Sequence, residues 1–570
     1  MTAQSVATYD YLIVGAGTAG CALAGRLSAD PSRKVLLLEA GRDLIPGREP
    51  RSIKNPLPSA NADPQFAWPN LIAEVGPDPG DGAPRHRRAF VQGRLMGGSS
   101  SIMGMLAQRG LPSDFDEWAA LGADGWDWAG VLPFFNRLET DGDFDGPLHG
   151  KDGPIPIRRY PRSAWPPFVQ AVADAIEAEG YGFNPDFNGH FDDGLTIVPM
   201  NNRSDGRVSA AMAYLPAEVR CRPNLAIETS TTAERILFDG EQAVGLQAAG
   251  PRGPVVYNAR EIILCAGGLH SPTLLMRSGL GPADQLARHN VALLADRPGV
   301  GQNLFNHAAA QIAVHLPKKS KQDRTLTCWA FAALRYSSGV SGGSPGDMHI
   351  VPVSRTAWHP LGRRIGGIGL CLYKPHSTGV VMLGGASAAD EPIVKFNLLS
   401  DERDFDRMVD GLMKAARLLT MPQVQAAANE AFLPPAGPAN ALSRPSLWNW
   451  LRSAAIVGLF DLPFGVRRRL LGRNVLDPER LAVDRDEAAA FVRKVAAPLH
   501  HVAGTCRMGR QGDSLAVVDP ACRVIGVRGV RVADASIMPT IVSGGTHLPT
   551  IMIGEKAADI ILSEPIKADH

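Results

Sequence analysis

Three glycines and an acid near the start of the chain have the types and spacing for chemistry. Gly15, Gly17 and Gly20 form a G-x-G-x-x-G turn. Glu39 follows Gly20 by about twenty residues, the distance at which an acid can bond a ribose hydroxyl. The first glycine permits the tight turn, the second lets a pyrophosphate approach the backbone, and the third lets helix and strand pack closely. The chemistry implied is dinucleotide binding; the alternative is a glycine-rich turn in an ordinary βαβ unit. Two further glycine-rich loops can lie against a ligand. Gly97-Gly-Ser-Ser100 can face phosphate or ring oxygens with its N–H groups. Ser543-Gly-Gly-Thr-His-Leu-Pro549 leads into an apolar stretch and can present N–H groups to a carbonyl or anion.

The elements that position these residues follow from pattern. Tyr11 to Val14 reads as a buried parallel strand, Cys21 to Ser28 as the helix after the turn, and Lys34 to Glu39 as the second strand. Residues 42–92, rich in Pro, Gly, Asp and Arg, form a long excursion. Asp114 to Leu138 predicts two short helices around an aromatic cluster, and 166–180 a helix. Strands are expected from Asn224 to Phe238, from Val244 to Leu246 and from Glu261 to Gly267. The last leads to a helix starting at Ser271-Pro272 and stopping at Gly279 and Gly281. Gly299 to His307 is a further glycine-rich loop. From about 310 to 495 the pattern changes to strand-like runs (349–353, 367–373, 379–383) with helices at 403–419 and 486–497, as in an inserted domain with an antiparallel sheet. Motifs of the first type resume after 498, and a final apolar helix is expected from Thr550 to Leu562.

Composition narrows the function classes. Fifty-eight basic residues against 57 acidic ones point to no nucleic acid and no acidic partner. Seven cysteines, with no C-x-x-C pair, suit reduced thiols in a cytoplasm. No metal cluster is visible, because His500-His501 lacks nearby ligand partners. No signal peptide is expected, and no apolar run approaches the roughly 20 residues of a membrane span. Trp448 to Arg473 joins an apolar, aromatic stretch to a basic run, Arg467 to Arg469. It reads as a lid, a redox-partner contact or a peripheral membrane contact, or equally as a buried helix with a solvated basic end.

Six blocks together resemble the glucose–methanol–choline (GMC) oxidoreductases, a family of FAD enzymes. They are Gly15 to Gly20 with Glu39; Gly93-Arg-Leu-Met-Gly-Gly-Ser-Ser100; Ala266 to Pro272 with Ser278 to Gly281; Gly299 to Leu304; His501-Val-Ala-Gly-Thr505; and Val532 to Pro539. Within the family the phrases Leu121 to Trp128, Pro147 to Gly150 and Phe396 to Asp401 are similar to those of bacterial 5-hydroxymethylfurfural and aryl-alcohol oxidases. The resemblance implies an α/β fold: a discontinuous Rossmann-like FAD-binding domain (1–160, 196–310 and 498–570) and an α+β substrate domain with an antiparallel sheet (161–195 and 311–497). It implies oxidation of a primary alcohol, aromatic or furanic, to the aldehyde. His501 matches the catalytic base, and hydride moves to flavin N5. The electron acceptor is O2 or a quinone or cytochrome. Gly15, Gly17, Thr18, Gly20 and Glu39 match the residues that hold the ADP part of FAD. Gly98 and Ser99 match those near flavin and pyrophosphate, Ala233 one that meets adenine through its backbone, and Asp534 and Ala535 contacts near pyrophosphate and ring.

Three positions depart from the family. Ile102 stands where some members carry a histidine that bonds the flavin, so FAD is expected to be non-covalent. Met103 replaces a usual Asn. Gly545 falls where a second catalytic His or Asn is usual; either His547, two residues on, reaches the site through a shifted loop, or the site works with His501 alone, helped by His500 or a water. These departures keep open a GMC-fold enzyme of other chemistry, of the hydroxynitrile lyase or fatty-acid photodecarboxylase type. An NAD enzyme and a non-catalytic flavin-binding protein are the remaining readings.

Overall fold

A computed structural model describes residues 8–57, 63–77, 86–326, 328–340, 342–434, 442 and 444–565. Parts of the expected segments therefore lie outside the described residues: both chain ends, 58–62 and 78–85 of the long excursion, and 327, 341, 435–441 and 443 of the expected second domain.

The first sheet begins with β1 (Thr8–Val14), whose residues from Tyr11 onward are buried, as a central parallel strand requires. The glycine turn leads into α1 (Thr18–Leu27), and β2 (Val35–Leu38) returns parallel beside β1. β3 (Leu225–Glu228) extends the parallel part beyond β2. β4 (Thr232–Asp239), β5 (Gln242–Gly250) and β6 (Gly253–Leu264) form an antiparallel meander. Long β6 serves both parts: its first half pairs with β5, and Asn258 to Leu264 run parallel to β1.

The helix after β6, α2, spans Gly267–Arg277, four residues earlier than Ser271-Pro272 suggested. Pro272 lies inside it and cannot donate to the Gly268 carbonyl. The Thr505 hydroxyl takes that carbonyl instead, at 2.7 Å, so the helix tolerates the proline.

The second sheet places β7 (Ala308–His315), β8 (Ala332–Tyr336), β9 (Met348–Val353) and β10 (Ile365–Leu372) in the order β7-β10-β9-β8, all antiparallel. Gly194–Ile197 continues it beside β8. Both Gly194–Ile197 and β7 run across expected domain boundaries, 195/196 and 310/311. One face of this sheet is covered by α3 (Glu402–Thr420), where Gly411 lets the helix sit close to Leu370, Tyr336 and Met348. The other face presents Ala309, Gln311, Ala313, Val351, Val353, Gly369 and Cys371 to a cavity. Their alternation along each strand is the period of two that puts every second side chain on one face. Small residues there leave room below the sheet.

α4 (Leu447–Phe460) and α5 (Phe464–Leu471) follow. The chain then returns to the first sheet as β11 (Val530–Val532), parallel to β6, and ends in α6 (His547–Ser563). α6 starts three residues before Thr550. α1 and α6 approach closely, with Gly554 against the Ala19 backbone and buried Glu555 bonded to Arg26, Arg137 and Tyr214. Each sheet has its own apolar core. A smaller sheet joins Ile72–Glu74 and Arg87–Ala89 to Val380–Met382 and Ile393–Lys395, tying the early excursion to the later half of the chain.

Candidate active site

A cavity of about 760 Å³ lies between the ends of the first sheet and the open face of the second. Gly15, Gly17, Thr18, Glu39, Gly98, Ser99, Ala233, His501, Asp534, Ala535 and His547 all line it. Gly20 lies behind the wall with another task. A Cβ there would sit 1.9 Å from the Gly15 carbonyl oxygen, so it keeps α1 against the turn. Gly15 itself has φ +102°, which other residues rarely adopt. Gly17 is different: its φ is −74° and a Cβ would meet only the Cys265 carbonyl oxygen, at 3.7 Å. The protein alone does not require glycine at 17. A ligand lying on the backbone would.

Glu39 is buried, and its two oxygens accept from Ala16 N (3.0 Å) and Gly41 N (2.7 Å). Burial outweighs those bonds and pushes its carboxyl up to about 7. A carboxylate has about four acceptor sites, so capacity remains for a ribose hydroxyl. Asp534 fastens the opposite wall, accepting from Gly267 N (2.8 Å), Ser271 Oγ (2.6 Å) and Ser536 N (2.8 Å). Buried polar atoms of other lining residues have no protein partner: Gln92 Nε2, Asn201 Oδ1, His270 Nε2 and His500 Nδ1. His270 stacks on Trp68 with ring centroids 4.1 Å apart. A long polar ligand such as FAD would meet the open backbone at Gly17, the acid at Glu39 and these orphaned atoms, so the residues present fit it.

His501 projects from an irregular strand edge. Pro498 pairs with Ala308 and Ala503 with Phe305, so five steps on one strand face three on the other. The surplus falls at His500 to Val502, and such a bulge re-aims a side chain. His501 Nδ1 lies 2.8 Å from His307 Nδ1, and His307 Nε2 lies 3.1 Å from the Val542 carbonyl oxygen. The carbonyl only accepts, so His307 carries its proton on Nε2. Burial, and after it the neighbouring His501, holds His307 well below its usual range and therefore neutral. Its Nδ1 must then accept, and His501 Nδ1 must donate. Burial and His500 lower His501 to about 3. His501 is thus a neutral imidazole with its lone pair on Nε2.

His547 is wired the other way. The Asn201 amide nitrogen donates to the Val208 carbonyl (2.8 Å) and lies 3.1 Å from His547 Nε2. His547 Nε2 is therefore an occupied acceptor and the proton sits on Nδ1. Burial and Arg207 lower its pKa to about 4. Gly545 donates its N–H to Gln108 Oε1 at 2.8 Å, and both residues line the cavity. That bond holds the Gln108 amide by its oxygen, and its nitrogen is a donor group. His307, Gln108, Asn201 and His270 are not evident as functional residues from sequence. Two of them had a signal: His307 closes the glycine-rich loop from Gly299, and His270 lies within the Ala266 to Pro272 block.

The GMC oxidoreductase profiles match residues 9–309 (N-terminal part) and 375–554 (C-terminal part). The chain is 40% identical to 5-(hydroxymethyl)furfural oxidase of Methylovorus sp. (strain MP688), over 98% of this chain and 99% of that protein. It is 33% identical to mitochondrial choline dehydrogenase of Mus musculus, over 98% and 90%. In fold it is similar to pyridoxine 4-oxidase of Mesorbium loti, with a TM-score of 0.80 at 28% identity, covering 98% of this chain and all of that one. The two-sheet architecture, the glycine turn with its acid and the matches over both halves agree: this chain belongs to the GMC oxidoreductase family.

Proposed function

We propose that the protein oxidises a primary alcohol, aromatic or furanic, to the aldehyde, with non-covalent FAD as the redox cofactor and His501 as the base. Bound in the cavity, FAD supplies the hydride acceptor. Gly15, Gly17, Thr18 and Glu39 would hold its ADP part, Ala233 the adenine end, and Gly98, Ser99, Asp534 and Ala535 the pyrophosphate and ring. Ile102 carries no nucleophile, which supports non-covalent attachment.

The observation that carries the reading is the chain Val542 carbonyl, His307, His501. It fixes the tautomer that leaves His501 Nε2 free to take the hydroxyl proton. Burial keeps that nitrogen unprotonated below neutral pH. Gln108, its oxygen held by Gly545, offers an N–H donor to the alcohol oxygen in place of the side chain that Gly545 lacks. His547, held by Asn201, positions the cavity wall. Met105, Leu106, Trp329, Val351 and Leu499 give the cavity apolar walls suited to a ring. The acceptor that reoxidises the flavin is O2, or a quinone or cytochrome.

The bare backbone at Gly545 favours a second reading, a lyase or photochemical enzyme on the same fold. One experiment separates them: anaerobic mixing of the yellow protein with a panel of alcohols, following absorbance at about 450 nm, where oxidised flavin absorbs. Bleaching by an aryl or furanic alcohol, lost in His501→Ala, supports alcohol oxidation. If dithionite bleaches the flavin and no alcohol does, the second reading replaces the first.

A further inference from the structure

The helix pair α4–α5 has a surface that the other described residues leave uncovered. α4 carries Arg452 as its one charge in fourteen residues and is otherwise apolar or uncharged. A helix apolar all round belongs in a core. Here Leu447 is 76% exposed, Trp448 62%, Trp450 44%, Leu451 45% and Leu459 46%. Among residues 444–473 whose exposure is described, Ser453 alone is buried. From 447 to 474 there are five arginines and one acid, Asp461. Asp461 is tied to Arg364 (2.6 Å) and Lys318 (3.3 Å), and Arg467 to Glu430 (2.8 Å). Those ion pairs fix the helix pair to the body. Arg452, Arg468, Arg469 and Arg473 remain exposed, with Arg452 lying 5.1 Å over the Trp448 ring.

We infer that α4–α5 docks the protein on an anionic lipid surface, with α4 lying in the plane of the interface. Exposed Trp and Leu beside arginines are the composition of an interfacial helix, because Trp favours headgroup depth and Arg the lipid phosphates. A helix of fourteen residues is about 21 Å long, too short for a hydrocarbon core of about 30 Å. No helix among the described residues is long and apolar enough to cross a membrane. A second copy is the weaker occupant: a two-fold contact through this face would set the same arginines against each other. Nucleic acid would match the charge and leave the leucines unmatched.

The position of the pair gives docking a consequence. Leu476 N and Leu433 N bond across to the Ala431 and Asn474 carbonyls, at 2.9 and 2.8 Å. Leu433 and Pro434 line the cavity. The segment containing α4–α5 therefore leaves from, and returns to, the cavity rim, next to apolar Ala313, Val353, Val495 and Ala497. An apolar reactant dissolved in the bilayer would reach the cavity from that side.

The test is vesicle flotation of the FAD-loaded protein. Vesicles of phosphatidylcholine alone are compared with vesicles carrying about 30% phosphatidylglycerol, enough to give a negative surface. The wild type is expected to float with anionic vesicles and not with neutral ones. Trp448→Ser/Trp450→Ser should abolish flotation. Arg468→Glu/Arg469→Glu should weaken binding on the order of a hundredfold. Both variants change exposed residues, so oxidation of a soluble alcohol in free solution should be unchanged, which controls for folding. The inference is overturned if the wild type stays in solution with anionic vesicles, or if both variants float as well as it does. It is also overturned if the Trp variant instead converts a dimer to a monomer in sedimentation, which would assign the face to a second copy.

Discussion

Two regions of this molecule hold enclosed histidines in opposite charge states. In the cavity, His270, His500, His501 and His547 are all lowered, to about 3 or 4, chiefly by burial. Away from the cavity, His149 lies between Asp141 (3.0 Å) and Asp186 (2.8 Å), with Glu139 at 3.6 Å. Burial would lower it too, but these three carboxylates together outweigh burial and hold it up at about 10. Arg109 on Glu139 and Arg159 on Asp141 complete three cations against three buried or half-buried carboxylates. Glu139, Asp141 and His149 have the spacing of a metal site. His149 Nε2 hydrogen-bonds to Asp186 and Nδ1 lies 3.0 Å from Asp141, so with His149 protonated the cluster is an ion-pair clasp. The lesson is that depth of burial does not decide the charge of an imidazole. Its partners do: carbonyl, amide and imidazole groups leave it neutral with a lone pair on one nitrogen, and carboxylates make it a fixed cation.

The largest effect that tests this contrast is at His501. His501→Gln should lower the anaerobic rate of flavin reduction by roughly 10²–10⁴-fold, the usual contribution of a positioned base. Flavin content and melting temperature should stay near wild type, because a neutral group is replaced by a neutral one. Equal loss of flavin would mean that His501 holds the cofactor rather than serving as base. His149→Gln should do the reverse. It removes one cation from a buried cluster, for which a cost of about 3–5 kcal/mol is typical. Denaturant midpoints should fall while the rate per bound flavin holds.

A smaller effect is expected at His307, which on the proposed reading acts through His501. His307→Leu leaves the His501 Nδ1–H without an acceptor and lets the ring change tautomer. A loss of about 10–100-fold is expected, the range in which supporting partners of reactive groups act. His307→Asn can accept from His501 and donate to Val542, so it should recover most of the rate. If Leu and Asn behave alike, the relay is not what orients His501.

Below these lies pH. The lowered cavity histidines are neutral in the folded protein, while the unfolded chain takes up protons below about 6.5. Stability is therefore full above 6.5 and is lost as pH falls toward 3 to 4, by about 1.4 kcal/mol per pH unit for each such proton. Glu39, raised to about 7, has the opposite sign and offsets one of them. His149 also has the opposite sign: its contribution is full below 6.5 and is lost as pH rises toward 10. Urea midpoints at fixed flavin concentration should fall on both sides of neutrality. The alkaline fall should be shallower in His149→Gln, and the acid fall less steep by one proton in His501→Gln.

The same contrast separates what the sequence discloses from what it hides. Gly15, Gly20 and Glu39 are legible because their work is local: the turn closes within six residues, and Glu39 bonds the turn through Ala16 N. The paired helices from Pro112 to Leu138 are legible because Phe115, Trp118, Trp128 and Phe135 pack on one another within that stretch. The start of α2 is not, since the partner that makes Pro272 tolerable is Thr505, 237 residues from Gly268. The His307–His501 contact spans 194 residues, and the Asn201–His547 contact spans 346. No local periodicity records such pairs. The His149 clasp is hidden in the same way, because Asp186 meets His149 only through the fold.

The finest test of the contrast lies within the cavity, between His501 and His547. Both are half-buried, neutral and line the same cavity, so burial and charge do not distinguish them. What differs is the nitrogen left open: Nε2 on His501, and on His547 the protonated Nδ1, because Asn201 occupies Nε2. If that difference decides which is the base, His547→Asn should cost less than about 1.4 kcal/mol in transition-state stabilisation, under tenfold in kcat/KM. Asn at 547 keeps a polar group toward Asn201 and loses only a donor toward the cavity. Asn201→Ala is the companion. It frees His547 Nε2 without touching His501, and a second pH-dependent base should then appear as an added acid limb near His547's own pKa. A drop for His547→Asn as deep as that for His501→Gln would instead make His547 the second catalytic group that Gly545 does not provide. The Asn201 bond would then have to open whenever substrate binds.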